Sequence, residues 1–201
     1  FEADAELGGL AGSFPVDGAR LDKFYHYWYT SDRYIVDLVE ELGVTQNLIF
    51  RPTQTGLYYA NSLFRLTSPA DVLRFGPLRM PDRIRLGLLA LRVRAIRNWK
   101  QLEHLTASEW LRSMAGQSVY EVVWEPLLRG KFGHHAEEIS AVWFWNKLKL
   151  RGGSRGSDGK EMLAYYLGGF SALADRIAER VRSRGGEIRP SSPVDSLIVS
   201  E

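Results

Sequence analysis

Cysteine is absent from this chain. Disulfides, thiolate metal ligands, cysteine nucleophiles and cysteine-linked cofactors are thereby excluded, and the absence fits a reducing compartment. No apolar run approaches the roughly 20 residues that a membrane-spanning helix needs. Charge of one sign is not in excess: 26 Lys and Arg face 24 Asp and Glu, a formal net charge of +2. So small a charge does not call for a nucleic-acid partner. A signal-peptide pattern is missing too, and the chain opens Phe1-Glu2-Ala3, which reads as the middle of a longer protein. Aromatic residues are abundant, at 12%, with 6 Trp, 9 Tyr and 9 Phe. Such a supply implies a large core or a broad apolar pocket. With 201 residues, 45% hydrophobic and 25% charged, the chain is globular and has room for one or two domains.

The first thirty residues are turn-rich, with Gly8, Gly9, Gly12, Pro15 and Gly18, and end in the aromatic run Phe24 to Tyr29. Ser31 or Asp32 can cap a helix carrying Ile35, Leu38, Val39 and Leu42, stopped by Gly43. Loose alternation from Asn47 to Leu66 predicts two or three short strands. Ser68-Pro69 starts a helix that ends near Gly76-Pro77, and a long basic helix follows over 81–100. Thr106 and Glu109 make a capping-box pattern. Further helices are expected over 117–129 and 137–150. A Gly- and Ser-rich loop then spans 151–160, with a short strand over 161–167. Phe170, Leu173, Ala174, Ile177, Ala178 and Val181 repeat at helical spacing. Gly185-Gly186 ends that helix, and strands are expected over 187–189 and 194–199.

Glu2 stands at a strand end ahead of a glycine pair. In dinucleotide-binding units an acid about 20 residues beyond G-x-G-x-x-G holds the ribose hydroxyls, so that loop would lie ahead of this stretch. Taken alone, Glu2 reads as a solvated terminal residue. Four stretches in order carry a family resemblance: Phe1 to Gly9 with Ser13 and 21–29, Val119 to Gly133, Tyr165 to Leu173, and Arg184 to Leu197. Together they resemble the flavoprotein amine oxidase superfamily, which includes protoporphyrinogen oxidases, phytoene desaturases and monoamine oxidases. The resemblance implies an α+β fold, with a mostly helical substrate domain containing short mixed strands. Partial strands of a Rossmann-type FAD-binding domain would flank it. Residues 1–30 would be a remnant of the FAD domain with the flavin-side loop, 31–167 the substrate domain, and 168–201 the return to the FAD domain.

The same resemblance implies a role for particular residues. Glu2 would grip the adenosine ribose, Gly8 and Gly9 would let backbone approach the cofactor, and Val194 would meet the adenine. Tyr25, His26 and Tyr27 would run beside the isoalloxazine ring. Leu10 departs from the Arg that many relatives carry there, and Phe24-Tyr25 replaces a small-residue pair. FAD is the implied cofactor of the full-length protein, with weak or no binding and no activity from this stretch alone. The implied reaction passes a hydride from a large, apolar small-molecule substrate to flavin.

His134-His135 with Glu137-Glu138 could suggest a metal, but adjacent helical residues diverge by about 100°, and a solvated loop is the better reading. No metal site is expected. His26 is either a packed ring or an acid/base group. Trp143, Phe144 and Trp145 cannot all share one face, so core plus an outward ring is expected. In the basic helix, Ile84, Leu88, Leu91, Ala95 and Trp99 cluster, and Leu86, Leu89, Val93 and Ile96 extend the apolar arc. Arg85 and Arg92 fall inside that arc. They are expected either to pair with Glu103 or Glu109 or to bind an anionic group of the substrate. Two alternatives stand beside the oxidase reading: a related non-redox sugar-nucleotide mutase, and a non-catalytic module docking on membrane through residues 79–100, where seven basic residues face the single acid Asp82. The expected location is cytoplasmic, with or without attachment to a membrane surface.

Overall fold

The computed structural model describes residues 1–157 and 160–199, so two positions of the expected 151–160 loop, Asp158 and Gly159, lie outside the described residues. The architecture is α+β, and the chain gathers into two compact units: Phe1–Arg51 with Leu163–Glu201, and Pro52–Met162.

In unit 1 the strands β1 (Ser13–Val16) and β2 (Ala19–Asp22) form an antiparallel hairpin, Val16 opposite Ala19. Its two turn residues, Asp17 and Gly18, both take positive φ, 47° and 81°. That pair matches the right-handed strand twist, and an Asp-Gly dipeptide adopts it readily. Strand β3 (Trp28–Tyr29) pairs antiparallel with β7 (Met162–Tyr166), and β7 lies between β3 and β4 (Leu48–Pro52). Helix α1 (Arg33–Glu41) stops where expected, before Gly43 at φ 70°. Helix α8 (Gly169–Ser183) carries the periodic apolar stripe. Val39, Val44, Tyr166 and Leu173 are the buried centre, wrapped by Trp28, Ile35, Leu42, Leu48 and Ala172.

The strands expected over 187–189 and 194–199 are not formed. That segment is irregular through Val199, and Leu197, Ile198 and Val199 are exposed. β-branched composition favours extended backbone, but a strand exists only where a neighbouring edge accepts its hydrogen bonds. Here three bonds join it to the chain start: Glu2 N–H to the Arg189 carbonyl (2.9 Å), Ser192 N–H to Glu2 (2.7 Å) and Ser191 N–H to Asp4 (2.9 Å).

Unit 2 begins with a second hairpin, β5 (Gly56–Tyr59) and β6 (Ser62–Arg65). Helices α2 (Pro69–Leu73), α3 (Met80–Ala95), α4 (Ala107–Ala115), α5 (Gln117–Val119), α6 (Glu125–Phe132) and α7 (Ala141–Gly153) follow. A π turn, Tyr120–Trp124, joins α5 to α6. Two capping boxes fix helix starts, Ser68 with Asp71 and Thr106 with Glu109. The Arg65 guanidinium bonded to Asp71, helped by Ser68 and the Thr67 and Ser68 amides, holds that carboxyl down at about 2. The Thr106 amide and hydroxyl likewise hold the Glu109 carboxyl below its usual range.

The starts of α4 and α7 are pinned together by the Ala107 N–H to Ile139 carbonyl bond (2.6 Å) and by Ala141 N–H to Leu105 (3.0 Å). Around them Phe75, Leu89, Val93, Trp110, Leu111, Tyr120, Leu128, Phe144 and Trp145 build a continuous core. The Trp145 indole N–H reaches the Val93 carbonyl at 3.0 Å, satisfying its polar atom inside apolar surroundings. Trp143 is the outward ring of its trio, half-buried against Phe132 at 5.1 Å. No helix among the described residues is long and apolar enough to cross a membrane.

Candidate functional site

The cofactor candidates all fall in unit 1. Glu2 is half-buried, its backbone fixed on both sides by the bonds to Arg189 and Ser192, while one carboxylate oxygen accepts the Asp4 N–H at 3.0 Å. A carboxylate held by its backbone offers acceptors to a diol without having to be ordered first. Gly8 and Gly9 take φ of 107° and 52°, opening a short 3-10 turn over Gly9–Ala11. A Cβ at Gly9 would meet nothing within 4 Å, so this bend is bare backbone at the surface, open to a ligand. Val194 is exposed on the segment that runs on from residues 189–192.

The aromatic run enters β3 only at Trp28, and from Tyr25 on its side chains alternate between two faces. Tyr25 stacks on Tyr27 (6.3 Å), and Tyr27 meets Tyr29 edge-on (5.6 Å). On the other face His26 and Trp28 both lie against Phe170, the second residue of α8, at 4.9 and 4.5 Å. His26 is therefore a packed ring. It also has a buried Nδ1 with no hydrogen-bond partner among the described residues. An unpaired buried ring nitrogen costs about 1–3 kcal/mol, so the position favours a ligand polar atom or a water.

Sequence spacing could not have found Asp22. Its Oδ1 accepts the Phe170 N–H at 3.2 Å, across 148 residues of chain, and so caps the start of α8. The same oxygen explains Gly169: a Cβ there would stand 2.6 Å from it, at φ 82°. Beside this cap, the buried Ser13 hydroxyl donates to Ser171 (2.8 Å) and accepts from Arg20 (2.7 Å), and Arg20 pairs with Glu6 (3.3 Å). A polar cleft of about 230 Å³ opens here, with Glu6, Arg20, Ser171, Asp175 and Arg182 on its walls.

Arg85 and Arg92 lie apart from these groups in sequence, on α3 of unit 2. Neither is buried, which corrects the apolar-arc expectation. The core side of α3 is Leu86, Leu89 and Val93, whereas Ile84, Leu88 and Leu91 are exposed. The arc joined two opposite faces, and the two arginines mark the border between them. Arg85 pairs with Asp82 at 2.8 Å and Arg92 donates to the Met114 carbonyl, so neither uses Glu103 or Glu109. Glu109 is committed to the Thr106 cap.

His135 sits 3.1 Å from Glu138 in a 3-10 turn, and no group of three or more His, Asp or Glu is placed to hold a metal ion among the described residues.

The family model described as flavin containing amine oxidoreductase matches residues 1–200. A coproporphyrinogen III oxidase of Staphylococcus aureus (strain NCTC 8325 / PS 47) is 20% identical over 231 residues, covering 100% of this chain and 49% of that protein. The chain thus spans about half the length of the curated relative it matches. A solved structure named a "putative protoporphyrinogen oxidase", from Exiguobacterium sp. 255-15, superposes with TM-score 0.55 at 19% identity, over 89% of this chain and 43% of that one. Wild-type putrescine oxidase bound to putrescine gives TM-score 0.58 at 18% identity, over 90% and 42%. At these identities the structural likeness establishes the fold.

Proposed function

Given that the chain belongs to the flavin containing amine oxidoreductase family, we propose that it is the substrate-domain-bearing part of an FAD-dependent oxidoreductase acting on a large, apolar small molecule. The observation that supports this reading best is the grouping in unit 1. Glu2 is anchored to residues 189–192, Gly8 and Gly9 form an open left-handed turn, and His26 packs on the start of α8 with an unpaired ring nitrogen. These residue types suit a flavin dinucleotide.

The chemistry supplied by FAD, when bound, would be uptake of a hydride at the flavin ring, with reoxidation by a separate electron acceptor. This chain's own residues would contribute to holding and shielding the cofactor. Glu2 would accept hydrogen bonds from the adenosine ribose, and the Gly8-Gly9 backbone would lie close to the cofactor without a Cβ in between. Tyr25 and Tyr27, exposed and half-buried, would wall one side of a planar ring and keep water off it. His26 Nδ1 would take the polar partner it lacks, and Asp22 would keep α8 and Phe170 in register behind it. The mostly helical stretch over 31–167 would bind the substrate.

In the full-length protein, Glu2→Ala should weaken FAD binding by about 1–3 kcal/mol, the range for hydrogen bonds to a charged group. The flavin spectrum at saturation should be unchanged. Fluorescence titration of the apoprotein measures this, and an unchanged Kd removes Glu2 from the site.

A further inference from the structure

We infer that the outward face of α3 is a docking surface for an anionic lipid bilayer. The helix buries Asp82, Leu86, Leu89 and Val93. At roughly 100° per residue, Met80, Ile84, Leu88 and Leu91 form a second apolar stripe on the far side. These four side chains are 53, 50, 39 and 62% exposed, although all are apolar. A helix that is apolar on two opposite faces is built to be covered twice.

The borders of the stripe carry its second feature. Arg83 and Arg94 line one edge, Arg85 and Arg92 the other, and all four guanidinium groups fold back toward the body of unit 2. Arg83 donates to the Leu78 and Leu73 carbonyls at 2.7 and 2.8 Å, and Arg94 to Gly152 at 2.6 Å. Arg92 reaches the Met114 carbonyl and Arg85 the Asp82 carboxylate. Three of these carbonyls, those of Leu73, Met114 and Gly152, belong to the last turns of α2, α4 and α7, where a cation is favoured. The arginines thereby tie three helix ends to α3. A carbonyl partner leaves the positive charge in place, and Asp82 is the single acid among seven basic residues from Arg79 to Lys100. The result is a bare aliphatic stripe between two cationic edges.

A bilayer surface satisfies both parts at once, taking aliphatic side chains below the headgroups and arginines at the phosphate level. A second copy of this face would bring like-charged edges together. Nucleic acid would meet the charge but leave an aliphatic stripe against phosphates, with no base-stacking ring in it.

The test uses the full-length protein and phosphatidylcholine vesicles with and without phosphatidylglycerol, in a sedimentation assay. The expected result is binding that depends on phosphatidylglycerol and weakens with salt. The triple variant Ile84→Gln/Leu88→Gln/Leu91→Gln should bind about tenfold or more weakly. Its elution volume and its flavin absorbance should match the parent. A matching control, Leu127→Gln, removes an equally exposed leucine outside α3 and should bind like the parent. Hydrogen exchange of the unmutated protein supplies a readout that needs no variant: amides of 80–95 should slow on adding anionic vesicles. Three outcomes overturn the inference. They are no binding to anionic vesicles, equal binding by the triple variant, and a parent dimer that the triple variant dissociates.

Discussion

Four buried apolar side chains make the centre of unit 1, whereas eighteen make that of unit 2 among the described residues. Unit 1 compensates with directed polar contacts. The Ser13, Arg20 and Ser171 network, the Asp22 cap on α8, the Asp32 bond to the Tyr29 amide and the backbone ties at Glu2 order its loops. Unit 2 relies on burial, with Tyr120, Phe75 and Leu111 almost wholly inside. The contrast teaches where a ligand can be admitted. A tight apolar core leaves little room for a ligand, while a region held by glycines and hydrogen bonds can expose backbone to one.

The sharpest way to break this comparison is a truncation in the larger core. Phe75→Ala should cost about 3–5 kcal/mol in urea unfolding, because a 1% exposed ring edge-on to Phe64 leaves a cavity. A cost below about 1 kcal/mol would mean that unit 2 is not held by packing.

Next in size is Gly169→Ala, with an expected cost of about 1–3 kcal/mol. It places a Cβ 2.6 Å from the Asp22 carboxylate at φ 82°, so it should disturb the His26 and Trp28 contacts with Phe170 as well. Near-ultraviolet circular dichroism reads the aromatic environment, and an unchanged spectrum together with unchanged stability would remove the Asp22 cap from the account.

Gly87→Ala provides the opposite sign. This residue lies inside α3, and a Cβ there meets nothing within 4 Å. Thermal unfolding should show a gain of about 0.5–1 kcal/mol from reduced backbone entropy in the unfolded chain.

The smallest effect is a pH dependence in unit 2. The Asp71 carboxyl titrates at about 2 when folded, chiefly through its bond to Arg65, below an unfolded value of about 3.9. The folded state therefore prefers the ionised form. Its contribution is complete above about pH 4 and is lost as pH falls toward about 2. Because the Arg65 side chain is 62% exposed, screening keeps the effect modest. Tm measured from pH 5 down to 2 should fall less steeply in Asp71→Asn than in the parent, and parallel curves would overturn the assignment.

Much of this fold is legible in the order of the amino acids. Both capping boxes lie within four consecutive residues, and each forms, because a cap is a local bond between near neighbours. The stop at Gly43 and the helix over 169–183 follow from spacing and glycine for the same reason. The family, too, is readable in four short stretches, and residues 1–200 match its model. Other features are decisions between distant partners. Residues 194–199 have strand composition, yet no ladder forms there, since pairing depends on an edge that composition does not supply. The apolar positions of α3 can be counted in the sequence, but which of them face the core cannot, because apolar residues occupy two opposite sides. Asp22 offers no local signal at all, since its partner at Phe170 is 148 residues away. Local bonds between near neighbours are set by the sequence alone. Which face is buried and which polar atom meets a partner are settled only when distant segments pack together.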